Sequence, residues 1–305
     1  MTMLFYLVSA WFGLQTSLPV WELEGASVLD IDGMESPTAL IYMEGRWFAG
    51  ADLDEGFAGV YSLNRKPDGF DAKLLKYLPQ MDVEDLAYNP KTRQLRVISA
   101  RRFSAKPSDW VGQFLELEPG QMRLAEVEVL GIPALCFNES MRCGLIGAMP
   151  IDDKRWVGVK KQDPSTLYLL EKRGSSWFQA ATATLTYERR FVTVTCLRRW
   201  GNYFLFLVKD KWLVASLPIA SLEGELEGEL KLETLFDFRE ITKRLRPTDR
   251  EWVWTGMAES FDIDDEGSLF VVINNRGASF TSFKGITPTS KPKVVIFNSG
   301  KLKVP

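Results

Sequence analysis

Three glutamates stand at matching points of a repeated pattern and could together bind a cation. Glu35, Glu84 and Glu259 each open a strand–turn–strand unit. Carboxylates that converge repel one another unless a positive group lies between them, and Ca²⁺ accepts carboxylate, amide and water oxygens as ligands. We predict a calcium site formed by these glutamates and Asn275. The alternative is a buried ion network in which neighbouring Arg and Lys side chains balance the glutamates.

Basic residues at the predicted strand ends could bind an anion on the same face. A guanidinium presents a bidentate fork to phosphate or carboxylate. If a bound metal activates water, Glu84, Arg101 and Arg142 are the candidate catalytic residues. The alternative is that these cations are ordinary solvated strand ends. The predicted substrate-binding residues are Arg101, Arg142, Lys160, Arg190 and Arg276.

Composition removes several kinds of chemistry. The chain contains no histidine, which excludes Ser-His-Asp and Cys-His catalysis and His-ligated zinc. Any catalysis must therefore use carboxylates, Lys, Arg, Tyr or a metal with oxygen ligands. The 37 basic and 40 acidic residues give a net charge of −3, which predicts no nucleic-acid partner.

Five strand–turn–strand units with a period of roughly 50 residues must position these side chains. Such a repeat predicts an all-β protein, a β-propeller of five four-stranded blades, with six blades as the alternative. The last unit lacks a fourth strand, and segment 21–32 precedes the first unit and reads as a strand. We predict that it closes the last blade, which removes open sheet edges. The units are 34–50, 83–99, 141–159, 190–208 and 258–273.

The first residues form an apolar run of the length of a signal-peptide core. We predict that 1–17 is a signal peptide and 18–305 a single propeller domain, secreted or periplasmic, monomeric and without a membrane span. The alternative is a buried first strand. In an exported protein Cys136 and Cys143 could form a local disulfide, whereas Cys196 lies in an apolar strand and is expected to be a buried free thiol.

Two units carry a family resemblance. VEDLAYNPKTRQLRVIS and AESFDIDDEGSLFVVINNRG resemble repeats of the phytase-like, calcium-associated β-propellers, a group that includes gluconolactonase and paraoxonase relatives. The resemblance implies that Glu84 and Glu259 point into a channel near Ca²⁺, followed by Asn274 or Asn275. Other units depart from the pattern, because Arg142 stands where the family has a carboxylate.

Three functions fit this sequence. The first is an exported, metal-dependent hydrolase of an anionic ester such as a phosphoester. The second is a non-catalytic propeller that recognises a glycan, a peptide or a partner protein. The third is a glycosidase that uses two carboxylates, Glu35 with Glu84 or Glu259. Metal-dependent turnover would identify the hydrolase. Saturable binding of a ligand without turnover would identify the non-catalytic propeller.

Overall fold

The structure is a computed structural model, and it describes fourteen stretches of the chain, to which all structural statements below refer. They form an all-β architecture of 22 strands with one short α-helix and one 3-10 turn. None of the described helices is long and apolar enough to span a membrane. The described residues are 23–53, 57–79, 83–89, 93–99, 113–117, 124–129, 145–160, 164–174, 176–208, 211–223, 226, 228–246, 257–274 and 291–299.

The strands follow one another mostly as antiparallel hairpins. The first nine are β1 Leu23–Asp32, β2 Pro37–Met43, β3 Arg46–Leu53, β4 Phe57–Lys66, β5 Gly69–Pro79, β6 Val83–Asn89, β7 Gln94–Ser99, β8 Gln113–Leu117 and β9 Leu124–Val129. The next five are β10 Leu145–Pro150, β11 Arg155–Lys160, β12 Thr166–Arg173, β13 Ser176–Tyr187 and β14 Arg190–Phe191. The remaining elements are β15 Val194–Trp200, β16 Tyr203–Val208, β17 Leu213–Pro218, β18 Glu229–Lys231, β19 Glu233–Asp237, α1 Arg239–Thr242, β20 Met257–Ile263, β21 Leu269–Asn274 and β22 Lys293–Ser299.

Antiparallel pairing places these strands in groups of four. The orders are β2-β3-β4-β5, β6-β7-β8-β9, β10-β11-β12-β13, β15-β16-β17-β19 and β20-β21-β22-β1. Two-residue turns join the first and second strands of the first and fourth groups. In the first group, Glu44 and Gly45 both have positive φ angles, 50° and 74°, as in the two-residue turns that match the twist of a hairpin.

The N-terminal strand completes the last group, as the sequence predicts. β1 pairs antiparallel with β22 from Leu23 to Asp30. Its last residues then pair in parallel with β5, with Ile31 opposite Phe70. This strand therefore covers an edge of the C-terminal group and joins it to the first group in one eight-stranded sheet.

The first strands of the five groups lie side by side and close on themselves. β2 contacts β6, β6 contacts β10, β10 contacts β15, β15 contacts β20, and β20 contacts β2. Four-stranded antiparallel sheets arranged with their inner strands around a common centre form a β-propeller. Buried apolar side chains fill the spaces between neighbouring sheets; Ile41 and Leu86, for example, share one cluster.

Every inner strand carries a register irregularity close to its start, one residue after the first in four strands and two residues after it in β20. A β-bulge adds a residue to one strand and changes which side chains point to each face. The pairing with the second strand skips Thr38, Glu84, Ile146, Thr195 and Glu259. These residues are therefore equivalent, and Glu35 lies three positions ahead of its predicted equivalents.

Candidate functional site

The centre of the propeller is crossed by the side chain of Arg198, from β15. Its Nη1 donates to Asp85 Oδ2 at 2.8 Å and to the Leu197 carbonyl at 2.6 Å. Its Nη2 lies 2.8 Å from Asp85 Oδ1 and donates to Ser260 Oγ at 2.8 Å and to the Leu40 carbonyl at 2.5 Å. We call these five residues the Arg198 hub. It ties together the first, second, fourth and fifth groups.

The third group contributes a glycine, Gly147 of β10. A Cβ atom at this position would lie 3.0 Å from Asp85 Oδ2 and 3.0 Å from Leu197 Cβ. The missing side chain therefore leaves the space that the carboxylate of Asp85 occupies. All five inner strands meet at this point, and the hub fills the centre where they meet.

The hub buries its charges almost completely. The side chains of Arg198 and Asp85 are 4% and 1% exposed. Burial raises the pKa of Asp85, and the charge and hydrogen bonds of Arg198 only partly offset this. For Arg198, burial opposes the charged form, but the charge of Asp85 keeps its pKa above the ordinary value. Charges this deeply buried are tolerated only with close partners.

The predicted metal ligands are spread over different environments. Glu35 is exposed, Glu84 is half-buried and Glu259 is buried. Asn275 lies outside the described residues. Within the described part of the chain, no three carboxylate or thiol groups are placed to hold a metal ion. Calcium binding thus stays a prediction. The buried ion network that the described residues do contain uses Asp85 and Arg198 instead.

Two of the predicted anion-binding residues can be placed. Lys160 is buried at the end of β11, and burial lowers its pKa. Arg190 is exposed in β14. Arg101, Arg142 and Arg276 lie outside the described residues. The anion site on this face therefore stays a prediction.

A cavity of about 660 Å³ opens on the opposite side, among the turns between first and second strands. We call this side the turn face. Turns of four groups and the end of β6 line the rim, and Arg198 and Asp262 also line the cavity. Representative rim residues are Glu44, Asp152, Gly201 and Asp265.

The rim carboxylates are held by partners on the same rim, some within one turn and some from a neighbouring group. Glu44 accepts from Arg93 Nε at 2.8 Å and from the Tyr88 hydroxyl at 2.5 Å, and its pKa is lowered to about 2, chiefly by the Arg93 hydrogen bonds. Asp152 accepts from Arg155 Nε at 2.7 Å.

The same holds on the β20–β21 side of the cavity. Asp264 accepts from the backbone N–H groups of Glu266 and Ser268 at 3.1 and 2.8 Å. Asp265 accepts from the Tyr42 hydroxyl at 2.9 Å. These carboxylates therefore shape the turns and hold an aromatic ring beside the cavity.

Asp262 connects the cavity to the hub. Its Oδ2 accepts from the Tyr42 N–H at 2.8 Å and its Oδ1 from the Ile263 N–H at 2.9 Å. Oδ2 also lies 3.9 Å from Arg198 Nε, a buried nitrogen with no hydrogen-bond partner among the described atoms. Burial raises the pKa of Asp262 to about 6, although Arg198 and the backbone donors act in the opposite direction.

Sequence reasoning missed Arg198 and Asp262 because both lie in the second half of their strands, β15 and β20. It looked for charges at the starts of first strands and at the ends of second strands, where the repeats look alike. A signal was available one residue after each bulge, where short side chains recur and let other groups reach the centre. These positions are Ala39, Asp85, Gly147, Cys196 and Ser260.

Cys196 is a free, buried thiol, as predicted. Its Sγ lies 3.4 Å from Ser260 Oγ, beside the hub. Burial raises its pKa to about 12, so the thiol is protonated at neutral pH and serves packing rather than nucleophilic chemistry. The predicted Cys136–Cys143 disulfide lies outside the described residues.

Comparison with known proteins identifies relatives by shape only. No protein-family model matches the chain, and no curated protein matches its sequence. A mannose phosphorylase from Leishmania mexicana, solved with a phosphate ion, is similar over 91% of this chain and 89% of its own, at 9% identity and a TM-score of 0.51. This likeness shows a shared overall fold.

Two further solved structures resemble the chain more weakly. A GH43 β-1,3-galactosidase covers 85% of this chain and 89% of its own at 11% identity, with a TM-score of 0.45. An oxidoreductase from Thermus thermophilus, described as a glucose dehydrogenase, covers 90% and 100% at 13% identity, with a TM-score of 0.41. Similarity at this level carries no argument about activity.

Proposed function

We propose that this chain is a five-bladed β-propeller that binds a ligand in the turn-face cavity without converting it chemically. The observation that carries the proposal is the Arg198 hub. Because the hub fills the centre of the propeller, the cavity has a closed floor and is a pocket rather than part of an open channel. Its volume, about 660 Å³, lies within the range of small-molecule sites.

The state of the cavity carboxylates favours binding over catalysis. A general acid or nucleophile must be able to approach the reacting atom. Asp262 already accepts two backbone N–H groups, and Asp264 does the same in its turn. Glu44 is held by Arg93 and Tyr88. These carboxylates are already engaged in hydrogen bonds that fix the strands and turns around the cavity, as expected of a pre-formed binding surface.

A melting-temperature screen tests this proposal with three groups of probes. These are neutral mono- and disaccharides, the polyamine spermidine with basic amino acids, and inorganic phosphate with sugar phosphates. We expect one group to raise the melting temperature, since a ligand at 100 times its Kd adds about 2.7 kcal/mol to the folded state. Each probe should be recovered unchanged after prolonged incubation. Turnover of a probe, or no stabilisation by any group, would overturn the proposal.

Two matched variants locate the binding. Ile151 is half-buried and lines the cavity, so Ile151→Trp should obstruct it and remove the stabilisation. Leu74 is 45% exposed on β5 and does not line the cavity, so Leu74→Trp should leave the stabilisation unchanged. Equal behaviour of both variants would place the ligand elsewhere and contradict the proposal.

The calcium-dependent hydrolase remains a separate prediction, tested by its own measurement. Its ligands would be Glu35, Glu84, Glu259 and Asn275, and export of the mature chain belongs to the same hypothesis. A rise in melting temperature with Ca²⁺ that EDTA reverses, and that Glu84→Gln abolishes, would support it. Calcium-dependent release of phosphate from a phosphoester would then contradict binding without turnover.

A further inference from the structure

Beneath the floor of the turn-face cavity, a buried hydrogen-bond donor lies next to an acceptor. The donor is Arg198 Nε, which belongs to a side chain only 4% exposed and has no hydrogen-bond partner among the described atoms. The acceptor is Asp262 Oδ2, 3.9 Å away. A buried N–H without a partner is costly, so a ligand atom that accepts from Nε is favoured here.

This pair discriminates among ligand charges. An anion could accept from Nε but would face the carboxylate of Asp262. An ammonium group could donate to Asp262 but would face the guanidinium of Arg198. A hydroxyl both accepts and donates, and one hydroxyl between the two groups satisfies both. The floor therefore favours a neutral hydroxyl over either ion.

The walls of the cavity add apolar and aromatic surface. Tyr42, Tyr88 and Trp200 line it. The Tyr42 hydroxyl is fixed by Asp265 and the Tyr88 hydroxyl by Glu44, and the Tyr42 ring also packs on Trp47, with centroids 4.9 Å apart. Rings held in this way offer a pre-formed surface to C–H groups, which lowers the entropic cost of binding.

We propose that the turn-face cavity binds a neutral sugar, with one hydroxyl between Arg198 Nε and Asp262 Oδ2 and its C–H face against the aromatic wall. A sugar combines adjacent hydroxyls with an apolar ring face, which matches the floor and the walls together. This inference rests on the proposed binding function and specifies its ligand class.

Calorimetric titration of the full chain with neutral mono- and disaccharides tests the inference, with spermidine and inorganic phosphate as charged comparators. We expect saturable binding of at least one sugar and none of the comparators. Binding of spermidine or phosphate in the cavity, without any sugar, would overturn the sugar assignment and leave the proposed function standing. Binding by none of the probes would overturn both.

Matched tryptophan variants test the wall. Trp200→Phe should weaken sugar binding several-fold, because a smaller ring covers less of the sugar. Trp212 packs edge-on against Phe238, with centroids 6.0 Å apart, and does not line the cavity, so Trp212→Phe should bind as the wild type does. Equal affinity of the two variants would contradict the role of the aromatic wall.

Asp262→Asn tests the floor. The change removes the charge that accepts the sugar hydroxyl, and loss of one charged hydrogen bond corresponds to roughly ten-fold or more in Kd. Because asparagine keeps a side-chain oxygen that can accept from the Tyr42 N–H, the melting temperature of the variant is recorded to show that the fold is retained. Unchanged sugar affinity in a folded Asp262→Asn protein would overturn the proposed floor contact.

Discussion

The Arg198 hub and the turn-face cavity use the same residue types but hold their charges in different ways. In the hub, Arg198 and Asp85 are 113 positions apart in the chain, are almost fully buried, and pair with each other between two sheets. On the rim of the cavity, Asp152 and Arg155 pair within one turn and remain partly exposed. Fully buried charges at the centre hold the sheets together, whereas partly exposed charges on the rim leave a surface open to a ligand.

The comparison has consequences for stability. Water screens a rim pair, and its loss matters little. A hub charge without its partner stays buried and uncompensated. Substitutions in the two regions should therefore differ strongly, even where the chemical change is the same.

The largest effect is expected from Arg198→Met. It leaves Asp85 buried without its guanidinium, and removal of one partner of a buried pair costs about 3–5 kcal/mol. Urea denaturation should show this as a lower midpoint at similar slope. The double variant Asp85→Leu with Arg198→Met removes both charges and should be more stable than the single variant. A single variant as stable as the wild type would contradict the role of the hub.

Gly147→Ala is expected to have the second-largest effect. The new Cβ would lie 3.0 Å from Asp85 Oδ2 and from Leu197 Cβ, and overpacking of this kind costs about 1–3 kcal/mol. The matched control is Gly25→Ala, because no atom lies within 4 Å of a Cβ at Gly25. Equal midpoints of unfolding for the two variants would show that the centre accommodates a Cβ atom at Gly147, and would contradict the tight packing proposed there.

Asp262 should make stability depend on pH. Its pKa is about 6 in the folded protein against an ordinary value of 3.8, so the folded state binds more protons than the unfolded state between about pH 4 and pH 6. Its contribution to the free energy of unfolding therefore falls as the pH rises through this window. Asp262→Asn should show a smaller decline, because the raised pKa of Asp85 still contributes, and the exposed Asp265→Asn should keep the full decline. Identical pH profiles of the two variants would contradict the prediction.

The smallest effect is expected from Glu44→Gln on the rim. Arg93 Nη2 lies 2.7 Å from Glu44 Oε2, but the two side chains are 70% and 33% exposed. Loss of such a pair should leave the unfolding midpoint almost unchanged, because water and salt screen the interaction. Added salt should likewise change the wild-type midpoint little. A shift as large as that of Arg198→Met would remove the distinction between hub and rim.

The β-bulge in each inner strand explains why the predicted and the observed central residues differ. The sequence predicts that charged residues at strand openings converge, and it aligns Glu35 with Glu84 and Glu259. The bulge in each inner strand instead aligns Thr38 with the other two. A shift of a strand pattern by one residue changes the face on which a side chain lies, so Asp85, rather than its neighbour Glu84, reaches Arg198.

The sequence by itself determined the all-β class, the repeat and the role of the N-terminal strand. Alternating apolar residues and turn residues are local signals. The N-terminal segment reads as a strand outside any repeat unit and the last unit lacks a fourth strand, so the sequence alone indicates that the two pair. Only the tertiary structure decided which charges meet. Arg198, Asp85, Ser260 and Leu40 come together from four inner strands, and their contact depends on bulges and on the space that Gly147 leaves, neither of which a local pattern contains.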